Sequence, residues 1–305
     1  MHAGWDAYSR FYQTGKLVLG DDAEHTDALR RLQVANPEPW GMANGLPYAK
    51  KLGVDSRVIS FNYGRIESEP SFPLTNYGGK AAYEGGHNPG PRGVMGNAQT
   101  HCVQLPNTFA FARGAACLSL TESDYVHFAE DLIPGRGRLI VDSWSAISAK
   151  DPVAMRKAAA SLQDAAAGQM KTGRLGGLLF GDPQRFLTDL RLQLEMKAAY
   201  HDFLNASNGA QPVKPTLASF VSAAEEWQSR TGYQDSWNWP EMESALRQLK
   251  SPAIDAVLRV NICILSCPDG AHPNGYQDVR NYLSDQETFT PRLLAAVKEK
   301  LSSMR

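Results

Sequence analysis

The spacing of apolar and polar positions changes character near residue 150. Before it, apolar residues come in short runs: RVISFNY (57–63), THCVQLP (100–106), FAFARGAACLSL (109–120) and RLIVDSW (138–144). Stretches dense in turn-forming residues separate them, and runs this short predict strands or brief buried segments between loops. One early helix is expected over 21–34, with Asp21 or Asp22 near its N-terminus. After residue 150 the punctuation becomes helical. Asp151-Pro152, Asp182-Pro183 and Thr290-Pro291 each join an N-cap residue to a proline at the first helical position. The first opens a helix to about Lys171, ended by Thr172-Gly173; the second opens one to about Ser207, stopped by Asn208-Gly209. Further helices are expected over 216–230, 240–250, 252–265 and 291–303. The fold class is therefore mainly α, a helical C-terminal half (151–305) with a loop-rich, partly β N-terminal half (1–150). No internal repeat and no Gly/Ser linker divides them, so residues 1–305 are expected to form a single domain.

The helix from 183 carries the most pointed signal. Leu187, Leu190, Leu194 and Ala198 follow at steps of three, four and four, which makes one helical face. His201 comes three residues later. At 100° per residue it lies within about 40° of Leu187 and about 20° of Leu194, so it is expected to point with the leucines into the core. A core histidine is commonly held by a backbone carbonyl or a carboxylate. The alternative is a metal or haem ligand, since neutral imidazole is the commonest metal ligand. Ala198 and Ala199 beside it have side chains small enough to let a porphyrin approach.

The second signal is EGGHNPGPRGVMGNAQTHC, residues 84–102. Its glycines and prolines rule out a regular helix or a plain strand and predict a shaped loop. Loops that carry titratable groups are frequent sites of function. His87 could serve there as a neutral base that takes and returns a proton, with Arg92 suited to a bidentate carboxylate contact and Asn97 beside it. His101 competes with His87. His127, in DYVHFAEDL, is a second candidate core or ligand histidine and competes with His201; His25 and His272 are expected to face solvent.

Composition narrows the classes. The 305 residues are 43% apolar and carry a formal charge of −1, with no basic stripe, so a nucleic-acid partner is not expected. No apolar run is long enough to span a bilayer and the N-terminal residues lack the order of a signal peptide, which predicts a soluble cytoplasmic protein. Cys102, Cys117, Cys263 and Cys267 fit no zinc or C-x-x-C-H spacing and are expected to be buried free thiols. The zinc-protease helix, the phosphate loop, the Rossmann fingerprint and the nucleophile elbow are all missing.

The stretch from NYGRIESEP through PLTNYGGKAAYEGGHNPGPRGVMGNAQTHCVQLP, followed by a helical half with a core-facing histidine, resembles the haem-dependent tyrosine hydroxylases of bacterial natural-product biosynthesis. These belong to the superfamily of histidine-ligated haem aromatic oxygenases. The resemblance implies haem b held by a proximal histidine, here His201, with His87 as the distal, catalytic histidine and Arg92, Asn97 and His101 near the substrate. It implies hydroxylation of an aromatic amino acid, L-tyrosine, to L-DOPA with hydrogen peroxide or dioxygen, and it permits a homodimer. Some relatives attach haem through an H-x-x-x-C pair; the chain has none, so the haem would be non-covalent. Three other readings remain open: the same chemistry on another aromatic such as an indole, a non-haem metal enzyme using His87, His101 and Glu84, or a non-catalytic helical binding protein with its aromatic cluster at Trp237–Met242.

Overall fold

The computed structural model describes residues 60–62, 66, 77, 80–87, 93–96, 104–209, 212–231, 240–258 and 279–304. This part is mainly α. Its one sheet pairs β1 (Ser60–Asn62) with β2 (Val94–Gly96) in parallel, Phe61 opposite Met95. The helices are α1 (Lys80–Gly86), α2 (Leu105–Ala115), α3 (Glu122–Leu132), α4 (Gly137–Ser148), α5 (Pro152–Ala166), α6 (Pro183–Ser207), α7 (Val213–Thr231), α8 (Pro240–Arg247), α9 (Pro252–Leu258) and α10 (Val279–Ser303). A 3-10 turn, Gly176–Leu179, precedes α6.

Helix begins at Lys80 in α1 and runs in close succession from Leu105 rather than from near 150, which corrects the expected strands or brief buried segments over 109–120 and 138–144; within the stretch expected as loop, 84–86 belong to α1 and 94–96 to β2. The reason lies in the period. In α2 the buried residues Leu105, Asn107, Ala110, Phe111 and Gly114 follow helical spacing, and a proline stands in the first turn. In α4 the buried set Ile140, Val141, Ser143, Trp144 and Ile147 does the same, a pattern visible only when the window is carried past Trp144. Between them α3 starts at a capping box. The Thr121 side chain accepts from the Asp124 backbone N–H, and the Asp124 carboxylate accepts from the Thr121 N–H at 2.8 Å.

The predicted caps further on are present. The Asp151 carboxylate accepts from the Val153 and Ala154 N–H groups, and that of Asp182 from the Arg185 N–H. The second helix ends at Asn208 with Gly209 at φ 90°, as its stop signal predicts. The first ends at Ala166, about a turn earlier than expected. Thr290-Pro291 does not open a helix: α10 begins at Val279 and Pro291 lies inside it. The packed residues Leu293, Ala296 and Val297 anchor its C-terminal half. The early helix over 21–34 and the end of the 252–265 helix lie outside the described residues.

Two buried clusters form the core, and α6 serves both. Leu187, Leu190, Leu194 and Ala198 close the first, which α2–α5 build; Leu192, Met196, Ala199, Tyr200 and Phe203 enter the second, with α7–α10. A 25-residue helix with apolar residues on two sides is the shape expected of a shared central element. Helices α5 and α7 pack along it, and α4 joins from the first cluster. At the other end of the described chain, α1 packs on α2 and both touch β2.

Candidate functional site

His201 occupies the penultimate turns of α6. The stripe that predicted it is buried from Leu187 to Ala198, but the ring itself is only half-buried, because the stripe runs out at the end of the bundle. Its Nε2 is nonetheless out of solvent contact. The ring leans on Tyr200 with centroids 5.1 Å apart. The next residue, Asp202, forms an ion pair with Arg156, which ties the C-terminal end of α6 to the first turns of α5. Ala198 and Ala199, both buried, supply the small-residue flank.

His87 follows α1 and is exposed. Its place is set by a glycine crossing. At Gly86 a Cβ would fall 2.1 Å from the Phe111 carbonyl oxygen, and at Gly114 one would fall 2.0 Å from that of Tyr83. Only hydrogen at those positions lets α1 and α2 approach so closely. The crossing brings the Gly114 carbonyl within 3.2 Å of His87 Nδ1, while the imidazole stacks on Tyr83 at 5.7 Å and 14°. An Nδ1–H donating to that carbonyl leaves Nε2 as the basic nitrogen of the neutral ring.

The two histidines thus belong to different packing groups, one with α2 and β2 and the other with α4, α5, α7 and α8. Arg92, Asn97 and His101 lie outside the described residues, as do His25, His272, Cys102, Cys263 and Cys267. Glu84 is exposed and faces Lys80 at 3.7 Å. His127 is not a core residue. It is exposed on α3 and shares a 3.4 Å hydrogen bond with Ser123, because Tyr125, Phe128 and Ala129 take the buried face. Arg136 stands half-buried at the start of α4, and the exposed Arg138 pairs with Glu122 and Asp142. Cys117 is exposed in a turn at φ 54°, against the expectation of a buried thiol. Among the described residues no three His, Cys, Asp or Glu side chains are grouped to hold a metal ion, and no helix is long and apolar enough to cross a membrane.

A feature the sequence reading passed over is an aromatic cluster where α2, α3 and α4 meet. Phe109 stacks on Phe128 at 4.3 Å, and Tyr125 meets Phe109 at 5.3 Å and Trp144 at 6.5 Å. Tyr77 lies against Tyr125 at 4.9 Å. Tyr125 and Trp144 are almost wholly buried, yet the Tyr125 hydroxyl and Trp144 Nε1 have no hydrogen-bond partner. Burial raises the Tyr125 phenol far above its ordinary value, and Tyr77 adds to the effect. Helical spacing over 122–148 was the signal that could have found the cluster.

Comparison with known proteins returns no match, whether with family models, curated proteins or solved structures.

Proposed function

We propose that the chain is a haem-dependent oxygenase that hydroxylates L-tyrosine to L-DOPA in the cytoplasm. The observation that carries the reading is His201: an imidazole with Nε2 withdrawn from solvent, on a long central helix, flanked by buried Ala198 and Ala199. The donor type and the short side chains around it fit a haem b iron, and the resemblance of residues 62–106 to the tyrosine hydroxylases points to the same group. In this reading His201 would hold the haem from α6, with His87 as the distal histidine. When bound, it supplies the oxygen chemistry; the protein supplies position and protons.

The residues divide the remaining tasks. His201 holds the iron, and the Asp202–Arg156 pair fixes the end of the helix that carries it. His87, with Nδ1 turned to the Gly114 carbonyl, offers Nε2 as the nitrogen that takes a proton and returns it. Arg92 pairs with the carboxylate of the amino acid, since a buried carboxylate without a partner would be costly. Asn97 and His101 contact the substrate.

The experiment is an absorption spectrum of the protein from cells given a haem precursor. A strong Soret band near ~400 nm that His201→Ala abolishes, while circular dichroism shows the variant folded, is the expected result. L-tyrosine, an indole and hydrogen peroxide are then added to identify the product. A protein that stays colourless on titration with hemin overturns the reading.

A further inference from the structure

Tyr77 is held in an unusual way. It lies outside helix and strand, and its ring rests half-buried on Tyr125 at 4.9 Å and near Trp144 at 6.4 Å. Its main chain is read by one side chain: the Tyr77 N–H donates to Ser148 Oγ at 3.3 Å, and that hydroxyl donates to the Tyr77 carbonyl at 3.0 Å. Ser148 stands one helical turn beyond Trp144, so a single face of α4 contacts both the ring and the amide groups of a tyrosine. Arg138, Glu122 and Asp142 lie within electrostatic reach of the phenol. The fit is also incomplete. Two buried groups in the rings beneath, the Tyr125 hydroxyl and Trp144 Nε1, gain no hydrogen bond from Tyr77. Buried polar groups left unpaired carry an uncompensated desolvation cost, so a seat with two of them calls for an explanation beyond packing.

We infer that Tyr125, Trp144 and Ser148 form a binding seat for a small tyrosine-like ligand, an aryl ring carrying an amide or amino-acid main chain, and that Tyr77 occupies this seat in cis. A ligand that displaces Tyr77 keeps its ring contacts with Tyr125 and Trp144 and both bonds to Ser148. The inference does not rest on the haem reading, because no part of the seat involves a metal or His201.

The test uses the full chain and N-acetyl-L-tyrosinamide, which carries the ring, the N–H and the carbonyl that the seat reads. Removing the internal competitor with Tyr77→Ala should tighten calorimetric binding by about tenfold or more over the wild type. Adding Ser148→Ala should weaken it again by about tenfold, the worth of one to two hydrogen bonds. N-acetyl-L-leucinamide should not bind. A folded Tyr77→Ala chain that takes up no probe, equal binding by wild type and variant, or equal binding of the leucine probe overturns the inference. Should Tyr77→Ala fail to fold alone, millimolar probe should restore a cooperative thermal transition; failure to do so overturns it equally.

Discussion

The glycine crossing that places His87 and the central helix that carries His201 hold their histidines by opposite means. Helices α1 and α2 meet backbone to backbone, with the oxygens of Tyr83 and Phe111 where Cβ atoms would otherwise stand. Helix α6 meets its neighbours through side chains, with Leu187, Leu194, Met196, Ala198 and Phe203 fully buried on two sides. The first arrangement tolerates no added atoms and the second no removed ones. It also explains why His87 has a defined ring orientation despite exposure, whereas His201 owes its shielded nitrogen to the bundle around it.

Truncation in α6 should have the largest effect. Leu194→Ala removes a fully buried side chain from the first cluster. It is expected to cost about 3–4 kcal/mol in urea unfolding, the sum of lost transfer energy and a residual cavity. The same type of change at Gly114 runs in the other direction. Gly114→Ala adds one methyl group and is expected to cost about 2–3 kcal/mol, because the obstructing atom belongs to the main chain and cannot rotate away. That variant should also shift the His87 ring resonances in NMR, since the Gly114 carbonyl is their hydrogen-bond acceptor. An unchanged His87 spectrum in a destabilised Gly114→Ala protein would break the link between the crossing and the histidine.

These two changes also show what the amino-acid order makes legible. The leucine stripe and the Asp182-Pro183 cap are local signals, and they located α6, its ends and the residue at which His201 falls. The spacing could not tell that the stripe stops being covered at the end of the bundle, because the cover comes from other helices. In α2 the alternation Phe109-Ala110-Phe111 imitates a strand over three residues, and only the longer window through Gly114 reveals the helical period. Gly86 was visible as a loop former, while Gly114 fell in a run expected as a strand or brief buried segment; their use as a helix contact depends on residues distant in the chain, Gly86 against Phe111 and Tyr83 against Gly114. The aromatic seat escaped notice for the same reason, since Tyr77 and Ser148 are 71 residues apart.

Smaller effects are expected at the ion pair beside His201. Arg156→Gln should cost about 0.2–1 kcal/mol, because the Arg156 side chain is 52% exposed and solvent screens the pair. In the haem reading it should loosen the helix end and weaken hemin binding, while Arg138→Gln, at the partly exposed Glu122 and Asp142 pairs, should leave hemin binding unchanged. Equal effects of both substitutions on hemin titration would remove Asp202 and Arg156 from that role.

The smallest effect at neutral pH should come from Tyr125→Phe, and its sign is the informative part. The hydroxyl is buried and unpaired, so deleting it should be neutral or stabilising by up to about 1 kcal/mol. Its pH dependence separates this from ordinary tolerance. A tyrosine whose folded pKa is raised by burial binds its proton more tightly in the native state than in the unfolded chain. The stability this contributes is fully present below the ordinary value of about 10 and is lost as pH rises toward the folded value. Urea midpoints measured from pH 7 to pH 11 should therefore fall less steeply in Tyr125→Phe than in the wild type. Parallel slopes would mean that folding leaves the proton affinity of the phenol unchanged, and the Tyr125 hydroxyl would then meet solvent in the native state rather than the closed aromatic cluster.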